Sequence, residues 1–367
     1  MKLVINNGEI LKSPLYFSIM KQELIKKIEN IITQVNVDED LVVFQLQELL
    51  RENELEKIVL KESKSLSNLY AAKMSNIRKP DWKDGQIKSG FTELDKLLGG
   101  FTPGELVVVG GRPSMGKTML LVNLSLHISK QVPVIFYSYE LSEDLLATRF
   151  ISILSQIPPD SIARRKLENY EIEALSSIEK KIKSHKIYIN DCVSKSITSL
   201  KAQCQKQIEE YGAKVIVIDY LQMMSHPRFR SHREYEISYI IREIKNIARD
   251  YNVCVIVSSQ LSREVEKRPG PKRPILSDLR DSGSIEQEAD KVIFVYRPEY
   301  YCITEDEMGN STSGLMELIV AKNRSGYDGD VFLKLNRSSM VLEDFSGFTE
   351  DFQFFKERLD EIDEPPF

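Results

Sequence analysis

The chain lacks the features that mark secreted, membrane-spanning or metal-clustered proteins. It has 4 cysteines among 367 residues, and they are scattered without the spacing of metal ligands. We therefore expect reduced thiols in a cytoplasmic protein. No uninterrupted apolar run is long enough to cross a bilayer, so no membrane association is expected. The apolar run at the N-terminus is too short for a signal peptide.

The chain also has no excess of basic residues. Lys and Arg number 50 against 55 Asp and Glu, which gives a net charge of −5. A surface that binds nucleic acid would therefore have to be a local basic strip. The remaining composition, 42% hydrophobic and 29% charged, is that of an ordinary soluble globular protein. The length suits one large α/β core with a small additional domain.

Apolar patterning predicts three regions. Residues 1–78 form a small helical N-terminal region, whose more polar stretch 61–77 is a candidate linker helix. A cluster of Pro, Asp and Gly then opens a region 79–342, in which strand-like runs alternate with helical ones. This alternation predicts an α/β fold: a mostly parallel, twisted sheet flanked by helices, with antiparallel edge strands near the C-terminus. Residues 343–367 are an acidic, Phe-rich tail, either solvated and partly docked or partner-binding.

Eight segments have the composition of strands, and several are continuously apolar, as expected for central strands covered on both faces. These segments are Leu106–Val109, Val134–Tyr137, Lys186–Ile189, Lys214–Ile218, Val253–Ser258, Lys291–Tyr296, Leu315–Ala321 and Val331–Leu335.

A complete phosphate-binding loop follows the first predicted strand. It has the pattern G-x-x-x-x-G-K-[ST] and leads into a helical stretch, which is the context that the motif requires. Backbone N–H groups of such a loop bind phosphate oxygens, and the helix dipole favours the negative charge. The alternative is an ordinary Gly-rich turn between a strand and a helix. The expected ATP-binding residues are Gly111, Arg112, Pro113, Ser114, Met115, Gly116, Lys117, Thr118 and the adjoining Met119.

Within this loop, Lys117 is expected to contact the β- and γ-phosphates and Thr118 to bind Mg²⁺. A second Mg²⁺ ligand is predicted at Asp219, which directly follows an apolar strand. Its alternative role is the N-cap of the next turn. Glu140 ends the second predicted strand, where a doubly wound sheet gathers its ligand-binding residues. We interpret Glu140 as the general base that activates water, with helix capping as the alternative.

Gln260 follows the strand that begins at Val253. A glutamine at a strand end can bind a γ-phosphate and respond to its loss. Polar residues are common at strand ends, so the signal is weak by itself.

Taken together, these motifs resemble the DnaB-type replicative DNA helicases. The resemblance covers roughly residues 85–340, the RecA-like motor domain of that family, and the block 278–290 is its most specific part. The segments that carry the resemblance are 90–104 (GFTELDKLLGGFTPG), the phosphate-binding loop, 218–224 (IDYLQMM), 259–263 (SQLSR) and 278–290 (DLRDSGSIEQEAD).

The resemblance implies a hexameric ring that hydrolyses ATP, moves 5′ to 3′ on single-stranded DNA and unwinds duplex DNA during replication. It assigns Lys117 and Thr118 to phosphate and metal contact, Glu140 to catalysis and Asp219 to metal binding. It assigns Gln260 to sensing the γ-phosphate. It adds Lys322 and Arg324 as the pair that reaches the γ-phosphate of the neighbouring subunit, an arginine finger in trans. Without the resemblance, Lys322 and Arg324 at a strand end would be interpreted as an exposed pair of solvated charges.

The resemblance also implies a DNA-binding loop facing the central pore. Arg280 would contact phosphate, Gly283 would let a backbone N–H approach, and Asp281 would shape the loop. A second candidate is the basic stretch 225–233, which contains Arg228, Arg230 and Arg233 beside one phenylalanine. Its alternative is an exposed loop with solvated charges.

The N-terminal region departs from the family pattern. Family members carry a longer helical domain there, which forms a collar and docks primase, so primase or a helicase loader is expected only as a possible partner. In the segment around Glu140, Tyr139 and Leu141 replace the usual Leu and Met. Two other functions fit parts of the sequence: a RecA/RadA-like recombination ATPase that forms filaments on DNA, and an ATP-binding regulator that does not translocate.

Overall fold

The fold was analysed in a computed structural model, which describes residues 65–77, 86–191, 194–226, 229, 232–279, 283–305 and 309–345. The chain divides into two units, Met1–Trp82 and Lys83–Phe367. In the first unit the described residues form one helix, α1 (Leu66–Ile77), within the predicted N-terminal region. No described helix is both long and apolar enough to cross a membrane.

The second unit is built on one sheet of nine strands in the order β3-β2-β4-β5-β1-β6-β7-β8-β9. Strands β1 to β6 pair with one another in parallel, and β7, β8 and β9 continue the sheet from β6 in antiparallel pairing. The predicted α/β fold is thereby confirmed, including the antiparallel edge. The strands are β1 (Leu106–Gly111), β2 (Val134–Ser138), β3 (Ile187–Asp191), β4 (Val215–Asp219), β5 (Cys254–Gln260), β6 (Lys291–Tyr296), β7 (Leu315–Asn323), β8 (Gly329–Leu335) and β9 (Leu342–Asp344).

Helices cover both faces of this sheet. In chain order they are α2 (Thr92–Leu98), α3 (Lys117–Ile128), α4 (Glu143–Ser155), α5 (Pro159–Ala163), α6 (Asn169–Ser177), α7 (Glu179–Ser184), α8 (Ile197–Tyr211), α9 (Arg233–Asp250), α10 (Glu264–Lys267) and α11 (Gly283–Glu288). Short 3₁₀ turns lie at Leu221–Met223, Leu276–Asp278 and Pro298–Tyr301.

The alternation of side chains along β1 separates the core into two layers. Val107 and Val109 belong to a cluster with the buried face of α3, whereas Leu106 and Val108 belong to a cluster with α9. All four side chains are fully buried. This double burial explains why β1 is continuously apolar in sequence.

Some predicted boundaries shift by one or two residues. Strands β4 and β5 include Asp219 and Gln260 as their last residues, so the polar side chains are part of the sheet. The ninth strand, Leu342–Asp344, was not predicted because its three residues contain two acids and no apolar run. It pairs with β8 and lies across the predicted start of the acidic tail at 343.

Candidate functional site

The phosphate-binding loop connects β1 to α3, as its sequence requires. Its tightest point is Gly116, whose φ of 101° lies in the left-handed region. A Cβ at Gly116 would lie 2.8 Å from the terminal methyl carbons of Met119 and Met316. Glycine is therefore needed here both for the backbone conformation and for the close packing of the loop.

Lys117 is the first residue of α3, and its ammonium turns back over the loop. The Nζ atom donates hydrogen bonds to the carbonyl oxygens of Gly111 at 2.9 Å and Arg112 at 3.1 Å. Burial lowers the pKa of Lys117 to about 8, and the carboxylates of Asp219 and Glu140 oppose that shift. The ammonium is thus partly desolvated and directed into the loop, where a phosphate would supply the missing counter-charge.

Asp219 lies beside this loop at the end of β4. Its Oδ2 accepts a hydrogen bond of 2.6 Å from Thr118 Oγ1, and its Oδ1 accepts one of 2.5 Å from Ser258 Oγ. The carboxylate is almost fully buried. The hydroxyl and carboxylate oxygens together are hard donors that suit Mg²⁺, which binds few protein ligands and completes its shell with phosphate and water. Among the described residues, no group of three or more His, Cys, Asp or Glu side chains is placed to hold a metal ion.

Glu140 lies two residues beyond the end of β2, and its side chain is exposed at the rim of a pocket. The following helix, α4, begins with Ser142 as N-cap, whose Oγ accepts a hydrogen bond from the Leu145 N–H. Since Ser142 fills the capping position, the alternative interpretation of Glu140 as the cap is wrong. The carboxylate instead faces the pocket.

Gln260 reaches the same pocket from the end of β5. Its backbone N–H donates a 3.0 Å hydrogen bond to Gln222 Oε1, and Gln222 Nε2 donates one of 2.9 Å to Ser259 Oγ. The side chain of Gln222 therefore holds the strand end at which Gln260 lies.

Lys117, Glu140 and Gln260 line one pocket of about 440 Å³ at the carboxyl edge of the parallel strands. That is the edge where open α/β sheets bind their ligands. Asp219 lies beside the pocket, hydrogen-bonded to the lining residue Thr118. The lining residues are Pro113, Ser114, Gly116, Lys117, Thr118, Met119, Glu140, Arg149, Tyr220, Gln260, Arg297 and Met340.

Three residues of the predicted loop do not line the pocket. Gly111 ends β1, and the side chain of Met115 is buried in the core. Arg112 is directed away: its Nε donates to Glu266 Oε1 at 2.9 Å and its Nη1 donates to the Leu261 carbonyl at 2.9 Å. The side chains of Arg112 and Met115 thus support the loop on the side away from the pocket.

Four lining residues were missed from the sequence. Arg149 lies on α4, and its pKa is lowered by burial, an effect that the nearby Asp219 and Glu140 oppose. Arg297 directly follows β6 and donates a 3.3 Å hydrogen bond to the Ser114 carbonyl. The strand-end argument used for Glu140 would also have found Arg297. It would have found Tyr220 as well, which directly follows β4. Arg149 and Met340 carry no comparable sequence signal.

Lys322 and Arg324 lie at the opposite edge of the sheet. Because β7 is antiparallel to β6, its end at Asn323 pairs with Lys291, the first residue of β6. The phosphate-binding loop follows the other end of the neighbouring β1. A six-residue strand spans roughly 20 Å, so these two cations lie far from the pocket of their own chain.

The candidate DNA-binding residues are only partly described. Gly283 is the exposed first residue of α11. Arg280, Asp281, Arg228 and Arg230 lie outside the described residues. Arg233 is the first residue of α9, and its guanidinium donates to the carbonyls of Gln222 at 2.6 Å and Met224 at 3.0 Å. Its position in a helix corrects the interpretation of Arg233 as part of the basic loop.

A Gly-rich phosphate loop with an adjoining buried aspartate, on a parallel sheet wrapped by helices, defines a RecA-like P-loop ATPase. Comparison with known proteins specifies the family. A family model described as the DnaB-like helicase C-terminal domain matches residues 86–344. The chain belongs to the DnaB-like helicases, and the match covers its motor domain.

Individual relatives agree with this assignment. The chain is 36% identical over 320 residues to a probable replicative DNA helicase of Trieres chinensis, covering 86% of this chain and 69% of that protein. It is 34% identical over 309 residues to the replicative DNA helicase DnaB of Geobacillus stearothermophilus, covering 83% and 64%. With the Bacillus subtilis replicative DNA helicase DnaC it shares 36% identity over 250 residues, covering 67% and 54%. The matched part thus spans about half to two thirds of these relatives' length.

Two solved structures are similar in fold and sequence. One is an isolated ATPase domain, which superimposes with a TM-score of 0.70 at 31% identity, over 78% of this chain and all of that one. The other is a DnaB-like replicative helicase, described with its interactions with primase. It gives a TM-score of 0.68 at 30% identity, over 90% of this chain and 78% of that one.

Proposed function

We propose that this protein is an ATP-driven DNA helicase motor that translocates 5′ to 3′ on single-stranded DNA and unwinds duplex DNA during replication in the cytoplasm. The observation that carries the proposal is the convergence of Glu140, Asp219 and Gln260 on the phosphate-binding loop, from three separate strands, in a chain of this family. A general base, a metal-binding acid and a phosphate contact are the groups that hydrolysis of a nucleoside triphosphate requires.

Each group has a part in hydrolysis. Lys117 binds and neutralises phosphate oxygens, a role supported by the position of its ammonium over the loop carbonyls. Glu140 orients the attacking water and accepts its proton, and Gln260 contacts the transferred phosphoryl group. Thr118 and Asp219 would hold Mg²⁺, which when bound neutralises charge on the β- and γ-phosphates.

A second subunit completes the site in this proposal. Lys322 and Arg324 lie at the sheet edge opposite their own pocket, so they can reach a phosphate only in another copy of the chain. A closed ring in which each subunit presents this edge to the next satisfies that requirement, and we propose a homo-hexamer. The pair then stabilises the charge of the phosphoryl transition state in trans.

DNA is proposed to bind inside this ring. Arg280, Asp281 and Gly283 would form one contact loop, and Arg228 and Arg230 a second. The net charge of −5 favours such local strips over a general basic surface. Primase or a helicase loader is a further proposed partner, supported by the similarity to a helicase described with primase.

The decisive experiment measures unwinding of a labelled fork with a 5′ single-stranded tail, with and without ATP. Glu140→Gln should retain nucleotide binding and lose turnover by roughly 10²–10⁴-fold, the scale of general-base catalysis. Lys117→Ala should lose binding as well. Electron microscopy with DNA and a nonhydrolysable nucleotide separates the ring from a recombination filament. ATP hydrolysis without DNA stimulation or unwinding would identify a regulator instead.

A further inference from the structure

Lys322 and Arg324 are held in place by one short segment, Gly283–Asp290, which consists of α11 and two further residues. The Nζ atom of Lys322 donates a 2.5 Å hydrogen bond to the carbonyl oxygen of Glu286. The guanidinium of Arg324 donates to the carbonyl oxygen of Gln287 and, at 3.1 Å, to Asp290 Oδ1. This segment belongs to the most family-specific block of the sequence, and hydrolysis in its own pocket makes no use of it.

Asp290 is anchored far more firmly than the arginine that it binds. Its Oδ2 accepts hydrogen bonds from the Leu106 backbone N–H at 2.7 Å and from Lys245 Nζ at 2.5 Å. Its own backbone N–H donates to the Leu106 carbonyl at 2.9 Å. The Asp290 side chain is 12% exposed, whereas that of Arg324 is 49% exposed. A buried carboxylate fixed to β1 therefore holds a guanidinium whose other side faces outward.

The carboxylate also balances a local excess of positive charge. Lys322 and Arg324 lie close together, and the pKa of Lys322 is lowered by burial and then by the charge of Arg324. Such repulsion would drive the two cations apart in the absence of an anion. Asp290 supplies that anion on the side away from solvent.

We propose that Asp290 is a positioning residue for Arg324: through it the Gly283–Asp290 segment sets the orientation of the arginine that acts on the neighbouring subunit's ATP. The inference rests on the proposed trans function of Arg324. The segment begins at Gly283, one of the candidate DNA contacts, so a shift of the segment on DNA binding moves the group that orients Arg324. Asp290 touches no substrate. Its contacts with the Leu106 N–H and Lys245 fix the carboxylate in place, and its other oxygen binds Arg324.

The first test is a double-mutant cycle with Asp290→Asn, which keeps the side-chain shape and an oxygen for the Leu106 N–H. DNA-stimulated kcat should fall roughly tenfold, the scale of one charge-assisted hydrogen bond, while the affinity for ATP stays unchanged. In an Arg324→Ala background the same substitution should cost nothing further. Asp160→Asn, in the exposed ion pair with Arg164, is the matched control. An equal loss in both backgrounds would overturn the proposal.

Mixed rings show at which half-site the defect lies. Asp290→Asn chains mixed with Glu140→Gln chains should regain activity, because each supplies the half-site that the other lacks. Asp290→Asn chains mixed with Arg324→Ala chains should not regain activity, because neither chain supplies a correctly held arginine. Recovery with Arg324→Ala would place the defect in the pocket of the Asp290→Asn chain itself and overturn the proposal. If Arg324→Ala alone is fully active, the proposed trans function of Arg324 is wrong, and not merely the positioning role of Asp290.

A second variant leaves Asp290 in place. Ser238 Oγ on α9 lies 2.9 Å from Ser284 Oγ on α11, so Ser238→Cys with Ser284→Cys brings two sulfurs within bonding reach. Oxidation should clamp the segment and lower DNA-stimulated hydrolysis several-fold, and reductant should restore it. Ser284→Cys alone, treated with the same oxidant, controls for other thiols. Unchanged stimulation in fully crosslinked protein would contradict the proposal.

Discussion

Burial opposes the charge of Lys117, the cation that turns back over the phosphate-binding loop. Its pKa of about 8 lies well below the ordinary value for lysine, because desolvation outweighs the attraction of Asp219 and Glu140. Binding of a triphosphate favours the charged form. The site should therefore take up a proton as it binds nucleotide wherever the empty site is partly deprotonated.

This linkage predicts that ATP affinity depends on pH. Below about pH 8 the ammonium is already present and affinity should be constant, whereas above it the Kd should rise by up to tenfold per pH unit. Titration with a fluorescent ATP analogue between pH 7.5 and 9.5 measures the effect. Lys117→Arg, which remains charged throughout, should remove the slope. A Kd that does not change with pH in the unaltered protein would contradict this account.

At the scale of elements, α9 (Arg233–Asp250) packs one apolar face into the core of the motor unit. Its side chains Ile237, Ile240, Ile241, Ile244 and Ile247 lie at helical spacing and are almost completely buried against the sheet. The opposite face carries charged residues, such as the exposed Arg249. The helix is therefore stabilised chiefly by burial of one apolar face.

Truncation of this face should destabilise the motor unit. Ile244→Ala should cost roughly 2–5 kcal/mol, because it removes buried methyl groups and leaves a cavity that the close-packed sheet cannot fill. Urea denaturation followed by circular dichroism measures the shift of the transition. Arg249→Ala on the exposed face of the same helix should shift it by less than about 0.5 kcal/mol. Equal effects of the two variants would show that the burial of Ile244 contributes little.

At the scale of the whole molecule, the positions of Arg324 and Glu140 at opposite edges of the sheet predict complementation. Arg324→Ala alone should lower turnover by roughly 10³-fold, the scale of an arginine finger. Mixed with Glu140→Gln chains it should regain part of that activity, because some interfaces then combine an intact pocket with an intact arginine. The measurement is ATP hydrolysis across a series of mixing ratios. Absence of recovery in rings shown to co-assemble would place the finger elsewhere.

The same ring predicts the character of DNA binding. Single strands should bind with little sequence preference, and affinity should fall steeply with salt, because phosphate contacts release counterions. Arg280→Ala should weaken binding of all sequences about equally and flatten the salt dependence. Arg228→Ala and Arg230→Ala should act more weakly. Fluorescence anisotropy across a salt series tests this, with the exposed Arg164→Ala as control. Unchanged affinity in Arg280→Ala would remove that residue from the DNA site.

The sequence alone determined the sheet and the loop that binds phosphate. The central strands of the motor unit are apolar runs covered on both faces. Such runs can be recognised in the sequence without knowledge of any tertiary contact. The phosphate loop is equally local, because its motif lies within one short stretch of chain in which Gly116 adopts the left-handed conformation. Asp219 and Gln260 were predicted because a residue that ends a parallel strand emerges at the ligand-binding edge.

Contacts between distant segments were decided only by the tertiary structure. Arg149 lines the pocket from α4, and Met340 lines it from the connection between β8 and β9. No local sequence pattern distinguishes either residue from an ordinary exposed or packed one. The antiparallel turn of β7 carries Arg324 to the edge opposite its own pocket, and the buried carboxylate of Asp290 meets it there. Strand order and exact register depend on pairing between segments far apart in the chain, which periodicity does not encode. The sequence therefore identified the chemical groups, and the tertiary structure decided which of them come into contact.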